Sequence, residues 1–407
     1  MKDVELSCTK CGRKYRADAP NFRCGDCSEP LELPEVRAGR IRTETGPWSS
    51  IFQRYSEFFP FDRAFPELDL GEGYSPLIRS PRLAEKAGVS ELLVKNETTN
   101  PSWSFKDRGT ACALMHAVEL GYKKVGTLSS GNMAASVAAF GARAGLDVYV
   151  LVGESTPREK INPVAMYGAH VIQVVGDYGD VYAASLSLGE KYGIYFANSD
   201  APFRIEGSKT IAYEICEQTG FQVPDFVIVP TSSGGNFRSI EKGFREFYAC
   251  GLIRKMPILI AAQDAGICPI HRAFTLQREK VEHFDDGHYL DNAIANPFPP
   301  SGNKVLEILR RTGGMTVAVE WDDMLAAQSE LSREGVFCQP GSAVSFAAVK
   351  LLREKGVFSG SERVSCVVTG SGLKFPSALE RQHIEVHTVD LGGLDGLIEK
   401  LSSAGRD

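Results

Sequence analysis

The sequence feature that most restricts the fold is a repeated alternation of short strand-like and helix-like segments, which begins after Gly46 and Pro47. Runs rich in β-branched or aromatic residues predict strands at 92–94, 125–128, 148–152, 171–175, 195–197, 226–229, 258–261, 316–319 and 364–368. Helical periodicity separates nearly every pair of them, for example at 134–143, 182–191, 210–218, 240–248 and 343–352. Such repeats imply mostly parallel sheets covered by helices on both faces. The number of strand–helix units is too large for one sheet, so the pattern predicts an α/β protein with two doubly wound lobes and a cleft between them.

The length of the chain agrees with this division, since 407 residues are too many for one ordinary domain. We expect a small N-terminal module at 1–40, a large lobe made of 41–100 and 201–407, and a smaller α/β lobe at 101–200. The least regular stretch, about 266–302, contains the cluster NPFPP and is expected to be a long loop with a functional or capping role.

Charge and hydropathy exclude several classes of function. The net charge of −6 argues against a nucleic-acid binder, which would carry a basic stripe. No apolar run approaches the length of a membrane span, and the opening residues MKDVELSC lack the apolar core of a secretory signal. We therefore expect a cytoplasmic protein without nucleic-acid or membrane partners.

Four of the ten cysteines form two C-x-x-C pairs near the start of the chain: Cys8 with Cys11, and Cys24 with Cys27. This spacing is typical of a zinc ribbon, in which each pair supplies two thiolates to a tetrahedral ion. Because the segment is too short to bury a core, the metal would stabilise it, and four thiolates leave no open position for catalysis. A pair of redox dithiols, or a motif that no longer binds metal, is the alternative. The remaining cysteines are scattered singly and are expected to be reduced.

A lysine stands at the start of one predicted helix, within the segment NPSWSFKDRG. The helix dipole disfavours a cation at this position. The same field lowers the pKa of the Lys106 amine and favours a neutral nucleophile, which imine chemistry requires. Taken alone, the motif is weak evidence, because most lysines are solvated surface groups.

Three further segments place small residues directly after a predicted strand: TLSSGNMAAS, VPTSSGGNF and VVTGSGLKFP. The first presents the amide of Asn132 at the start of a helix. The second is a run of small residues whose free N–H groups would cradle a phosphate at a helix N-terminus, and it has no Walker lysine. The third offers the hydroxyl of Thr369 to a ring nitrogen at the floor of the cleft. Each could instead be an ordinary cap or turn.

In this order the four segments resemble the fold-type II enzymes that use pyridoxal 5'-phosphate (PLP), with the tryptophan-synthase-β-like architecture, and most closely the threonine synthases. The resemblance covers most of residues 70–376 and assigns PLP binding to the large lobe. It implies that Lys106 is the catalytic residue and holds PLP as an imine. It further implies that Asn132 bonds the 3'-oxygen of the ring and Thr369 the pyridine nitrogen. The cofactor phosphate would be held by Ser232, Ser233, Gly234, Gly235 and Asn236.

The segment NSDAPFRIEGSKT suggests the substrate. In threonine synthases the corresponding segment helps to bind the phosphate of O-phosphohomoserine, through residues that match Asn198, Ser199 and Arg204. An arginine suits a bidentate phosphate contact. The resemblance therefore implies a lyase that converts O-phospho-L-homoserine and water to L-threonine and phosphate. Its partners would be a small phosphorylated amino acid and, as in much of the family, a second copy of the chain in a homodimer.

Three residues depart from the family pattern and leave alternatives open. Trp103 stands where glycine is frequent, Ser232 replaces the first glycine of the phosphate loop, and Ser208 stands where glutamine is frequent. The serine in the loop is tolerable if its φ angle is ordinary. A phosphoserine-dependent cysteate synthase, a serine or threonine dehydratase of the same fold, and a non-enzymatic zinc-ribbon adaptor are the alternative functions.

Overall fold

The computed structural model describes residues 4–18, 22–43, 49–176, 178–285, 287–289, 291, 293–382 and 384–403. The chain divides into two compact units, one up to Lys374 and one from Phe375 onward. Among its described residues, the second unit has two 3₁₀ segments and one helix. None of the helices in the described ranges is long and apolar enough to cross a membrane.

The strands of the first unit belong to three sheets. In chain order they are β1 (Glu5–Cys8), β2 (Lys14–Arg16), β3 (Leu31–Glu32), β4 (Leu77–Arg79), β5 (Glu91–Asn96), β6 (Lys124–Leu128), β7 (Asp147–Gly153), β8 (His170–Val174), β9 (Ile194–Phe196), β10 (Phe226–Pro230), β11 (Ile258–Asp264), β12 (Met315–Val319) and β13 (Arg363–Val368).

The helices in the described residues are α1 (Ile51–Arg54), α2 (Pro81–Ala87), α3 (Lys106–Glu119), α4 (Asn132–Arg143), α5 (Arg158–Met166), α6 (Tyr178–Tyr192), α7 (Pro202–Ser208), α8 (Thr210–Gln218), α9 (Gly235–Ala249), α10 (Pro269–Thr275), α11 (Gly302–Thr312), α12 (Trp321–Arg333), α13 (Pro340–Glu354) and, in the second unit, α14 (Leu394–Ser403).

The largest sheet has the strand order β12-β11-β10-β13-β5-β4, and a second sheet has the order β8-β7-β6-β9. All pairs in these two sheets are parallel except β4 with β5. Central strands such as β10 and β13 are buried almost throughout, because helices cover both faces of the sheet. The third sheet, with the order β2-β1-β3, is antiparallel; Cys8 ends β1, and the other three N-terminal cysteines lie in the segments between its strands.

All nine strands predicted from the sequence are present, with ends that differ by one to three residues. The sequence pattern missed β4, whose three residues are too few for a clear alternation, and its antiparallel pairing at the sheet edge. The prediction that 266–302 is one long loop was wrong in part, since α10 forms where Pro269 starts a short amphipathic turn. The α/β class is confirmed, whereas the proposed domain boundaries stay a prediction.

Candidate active site

Three neighbouring strands of the largest sheet end at one edge, and each leads into a segment that the sequence had singled out. β5 precedes the turn before Lys106, β10 precedes the serine–glycine loop, and β13 precedes Thr369. Because β10, β13 and β5 are parallel neighbours, their carboxyl ends lie side by side. As a result Lys106, Thr369 and the loop 231–234 line one pocket, together with Ala293 and Ile294 from the irregular stretch.

Lys106 is the first residue of α3, and the protein around it leaves its side chain only partly exposed. The backbone just before it pairs with the segment after β13, since the Phe105 N–H donates to the Thr369 carbonyl at 3.0 Å and Ser104 bridges to Gly370. The Lys106 ammonium lies 4.5 Å from the centre of the Phe105 ring. The lysine is therefore anchored at the floor of the pocket rather than carried on a loop.

Buried charge pairs hold the first turn of α3. The fully buried guanidinium of Arg108 donates to both oxygens of Glu97, at 2.7 and 2.9 Å, and to both oxygens of Glu214, at 2.6 and 2.7 Å. The Asp107 carboxylate accepts from the N–H and the hydroxyl of Ser102 at 2.6 and 2.5 Å. Such networks are strong because every buried charge has a partner, and they fix the backbone that carries Lys106.

Helix α7 approaches α3 at two glycines. A Cβ atom on Gly207 would lie 2.0 Å from the Arg108 carbonyl oxygen, and one on Gly109 would lie 2.9 Å from the Arg204 carbonyl oxygen. The two backbones can approach this closely only because neither glycine has a side chain. The contact brings Arg204 beside Lys106, where its guanidinium donates to the Thr110 hydroxyl at 2.9 Å and to the Lys106 carbonyl at 3.5 Å.

Lys106, Arg204 and Lys374 form a group of three cations, which we call the site cations. Within the described part of the chain none of them forms a salt bridge, and the Lys374 ammonium donates to the Ser102 carbonyl at 2.7 Å. Burial, together with the charges of Arg204 and Lys374, lowers the pKa of Lys106 to about 7. Burial also lowers the pKa of Arg204 to about 10 and that of Lys374 to about 8. A partly enclosed excess of positive charge favours an anionic ligand.

The lowered pKa of Lys106 has the direction predicted from the sequence but a different principal cause. Burial comes first and the neighbouring cations second, whereas the sequence had suggested the field of the helix. Lys374 itself was missed, although it is the lysine of the GLK motif that follows Thr369. Its position in the site depends on the pairing of the segments 102–106 and 369–374, which the sequence does not reveal.

The loop between β10 and α9 forms the opposite wall of the pocket. Gly234 has a φ of +88°, and a Cβ atom there would lie 2.9 Å from the Val305 side chain and 3.0 Å from that of Ser301. Both side-chain amide atoms of Asn236 are buried and have no partner among the described residues. Ser232 is not among the residues with positive φ, so serine is tolerated there.

Asn132 begins α4, and its amide donates to the Gln339 side chain at 2.8 Å. A Cβ atom on Gly370 would lie 3.0 Å from the Asn132 amide nitrogen and 2.7 Å from the Gln339 oxygen, so this glycine is required for the contact. The Thr369 hydroxyl lies 2.8 Å from the Ser342 hydroxyl. The sequence had not singled out Gln339 and Ser342, although the Pro340 that begins α13 marks this helix start clearly.

The residues assigned to the substrate have different environments. Asn198 is buried, and its amide bridges β6 and α6 by accepting from the Leu128 N–H at 3.0 Å and donating to the Ser185 hydroxyl at 3.2 Å. Ser199 is partly exposed, and its carbonyl lies against Gly235 of the phosphate loop. Trp103 has a φ of +64° and is half exposed. This left-handed conformation explains why glycine is frequent at that position.

The N-terminal cysteines also converge. The four Sγ atoms of Cys8, Cys11, Cys24 and Cys27 lie within 4.8 Å of one another. The Tyr15 hydroxyl donates to the Cys24 sulfur at 3.1 Å and accepts from the Gly25 N–H at 2.8 Å, a support that the sequence did not predict. Four thiols at this spacing fit a tetrahedral metal site.

Comparison with known proteins identifies the family. Residues 68–370 match the family described as pyridoxal-phosphate dependent enzyme. The chain belongs to the pyridoxal-phosphate dependent enzymes. Relatives within this family include a threonine synthase of Methanocaldococcus jannaschii, which is 39% identical over 92% of this chain and 94% of its own length. A threonine synthase of Methanosarcina acetivorans is 35% identical over 92% of this chain and 93% of its own length.

Solved structures of other enzymes share the fold. A processed threonine deaminase from Solanum lycopersicum aligns with a TM-score of 0.67 at 22% identity, covering 95% of this chain and all of that one. Maize serine racemase aligns with a TM-score of 0.63 at 22% identity, covering 81% of this chain and 93% of that one. The fold-type II architecture predicted from the sequence is thereby confirmed.

The pocket residues fit PLP. The unpartnered amide of Asn236 and the glycine cradle at the start of the 15-residue helix α9 suit the cofactor phosphate, which a helix N-terminus favours. Lys106 and Thr369 line the same pocket, where a primary amine and a hydroxyl are needed for the aldehyde and the ring nitrogen. The individual contacts of Asn132, Ser232, Ser233, Gly235 and the other residues assigned to PLP stay a prediction.

The lowered pKa of Lys106 predicts how capture of the cofactor depends on pH. Only the neutral amine attacks an aldehyde, so the rate of PLP capture by PLP-free protein should rise as pH passes through about 7 and then level off. The visible absorbance of the cofactor after rapid mixing measures this rate. In Arg204→Leu a neighbouring positive charge is lost, so the rise should move to higher pH. A wild-type rate that keeps rising to about pH 10, the range of an ordinary lysine, would contradict the prediction.

Proposed function

We propose that this chain is a threonine synthase, which converts O-phospho-L-homoserine and water to L-threonine and inorganic phosphate. The observation that carries the proposal is the presence of two further cations beside Lys106. Arg204 and Lys374 form no salt bridge among the described residues, and Asp107, the buried carboxylate whose charge acts on both, is hydrogen-bonded to Ser102 instead. The cofactor phosphate has its own cradle, so these cations suit a second phosphate, that of the substrate. The threonine synthases at 39% and 35% identity support the same reaction.

The residues of the site divide the chemical work. PLP, when bound, supplies an electron sink that stabilises the charge left at the substrate α-carbon after a proton is removed. Lys106 accepts that proton at its Nζ and later returns protons, a role for which a pKa about 7 is well suited. A second proton is then lost from the β-carbon, and the electron pair left there expels the phosphate from the γ-carbon, where Arg204 and Lys374 hold it and stabilise its charge. A proton returns to the γ-carbon, water adds at the β-carbon, and a proton returns to the α-carbon. Asn198 and Ser199 are proposed to assist at the substrate phosphate.

The assignment can be tested by identifying products. Purified protein loaded with PLP is expected to release phosphate from O-phospho-L-homoserine and to form L-threonine in equal amount. O-phosphoserine with sulfite would instead yield cysteate if the chain were a cysteate synthase. Serine or threonine would yield ammonia and a 2-oxo acid if it were a dehydratase. Phosphate release without threonine would overturn the proposal.

Replacement of Lys374 tests the binding of the substrate phosphate. Lys374→Met is expected to lower kcat/KM by about 10- to 100-fold, mainly through KM, because a charge-assisted contact contributes about 1.5–3 kcal/mol. Steady-state phosphate release measures the effect. Lys123→Met removes an exposed lysine from the turn before β6 and should change neither constant. A Lys374→Met enzyme with unchanged KM would remove Lys374 from the substrate site.

The four cysteines are proposed to bind a structural zinc ion. The closeness of the four sulfurs and the absence of an open coordination position support this role. Zinc content of the purified protein, measured by atomic emission, should approach one ion per chain. A homodimer and a cytoplasmic location stay predictions.

A further inference from the structure

The N-terminal segment that carries the four thiols, residues 4–33 with their described parts, is called here the cysteine module. Its three strands are only two to four residues long, so the strands alone give it little stability, and a metal at the four thiols would add to it. The module is nevertheless packed against the enzyme, since the Ala17 carbonyl lies 2.6 Å from the His116 ring on α3 and Phe22 contacts Tyr195 of β9. The module also contacts α9 and α11, the two helices next to the phosphate loop.

One contact runs from the module to the start of α11. The carboxylate of Glu29 accepts from the Asn303 side chain at 2.7 Å. Glu29 stands two residues after Cys27, and its carbonyl accepts from the Cys24 N–H at 2.9 Å, so the turn between the two cysteines fixes its position. Asn303 is the second residue of α11. The module therefore holds this helix at the end that faces the pocket.

A second contact runs from the module to α9. The Glu32 carboxylate lies 3.2 Å from the guanidinium of Arg238, which is fully buried in the first turns of that helix. Arg238 donates in turn to the Ser301 hydroxyl at 3.0 Å. Ser301 immediately precedes α11, so both contacts converge on the same residue and its neighbours.

Ser301 is in direct contact with the phosphate loop. Its N–H donates to the Ser233 carbonyl at 2.9 Å, and a Cβ atom on Gly234 would lie only 3.0 Å from its own Cβ. Interiors this tightly packed transmit small displacements. A shift of the module would therefore displace Ser301, the residue against which the phosphate loop packs.

We propose that the cysteine module positions the PLP phosphate loop, so that Glu29 and metal at the four thiols determine how firmly PLP is held. This inference rests on the proposed zinc site and on PLP binding in the loop, and it does not depend on which amino acid is the substrate. Glu29 acts through Asn303 and Ser301, and is thus a positioning residue. None of the module's described residues lines the pocket that contains Lys106.

The test uses the PLP-loaded full-length protein and measures the rate of PLP release by fluorescence, with a scavenger for free PLP present. Glu29→Ala is expected to release PLP about fivefold faster or more, as the loss of roughly 1 kcal/mol would produce. Glu29→Gln keeps an oxygen that can accept from Asn303 and should release PLP nearly as slowly as wild type. Asp18→Ala removes an exposed carboxylate of the same module and is the matched control.

Metal removal provides a second test of the same inference. A chelator should accelerate PLP release from wild type, with metal loss followed by a metallochromic dye. It should accelerate release by a smaller factor in Glu29→Ala, because the Glu29 contact is already lost there and only the Glu32 contact is left to disturb. Two results would overturn the inference. One is an unchanged rate of PLP release in Glu29→Ala; the other is a chelator that accelerates release by the same factor in Glu29→Ala as in wild type. Failure to form threonine would instead overturn the proposed function, since PLP release is measured without substrate. Circular dichroism of each variant confirms that it is folded.

Discussion

Lys106→Ala is expected to lower threonine formation by at least about 10²- to 10⁴-fold, the usual contribution of a positioned acid–base group. The effect should appear in kcat, because Lys106 moves protons and does not bind the substrate phosphate by itself. Phosphate and threonine released under substrate saturation measure it. The variant should also lose the visible absorbance that PLP has when it is joined to a lysine.

The control for this experiment is rescue. A small primary amine added to Lys106→Ala should restore part of the activity, since the missing group is an amine in a pocket with space for one. Lys123→Met, an exposed lysine outside the pocket, should retain wild-type activity. Activity of Lys106→Ala within tenfold of wild type would remove Lys106 from its assigned role.

Arg108→Met is expected to destabilise the fold by about 3–5 kcal/mol, because it leaves two buried carboxylates, Glu97 and Glu214, without their guanidinium partner. Lys95 still pairs with Glu214 at 2.6 Å, so Glu97 would carry most of the loss. Urea denaturation followed by circular dichroism measures the free energy of unfolding.

Two further variants make the result specific. Arg108→Lys keeps the charge but replaces the planar guanidinium, which makes two bonds to each carboxylate, with a single ammonium that has fewer donors, so an intermediate loss is expected. Lys255→Met removes an exposed partner of Asp225, and the loss there should stay below about 1 kcal/mol. An Arg108→Met protein as stable as Lys255→Met would show that the buried network contributes little.

The sequence predicted those features that depend on short-range pattern. Apart from β4, each strand of the two larger sheets was visible as a β-branched or aromatic run. Lys106 and Thr369 could be found because one begins a helix and the other directly follows a strand. The meeting of these residues followed from the rule that ligands lie at the carboxyl ends of parallel strands. Length, charge and spacing were enough for the fold class.

Contacts between distant segments could not be predicted in the same way. Lys374 lies in the site because its segment pairs with residues 102–106. Gln339 lies there because the segment that leads into α13 brings it against Asn132. The cause of the low pKa of Lys106 was likewise hidden, since burial depends on the whole packed structure. The supports behind the phosphate loop, Ser301 and Arg238, have no motif of their own.

The contact between α3 and α7 has a consequence for how such an enzyme could change during evolution. The spacing between Lys106 and Arg204 depends on main chain touching main chain at Gly109 and Gly207, not on the side chains that face the ligand. Substitutions at Arg204, Lys374 or Trp103 could therefore alter which leaving group is accepted without displacing the amine that moves protons. The inherited scaffold keeps the reacting centre constant, and new substrate preferences can arise around it one residue at a time.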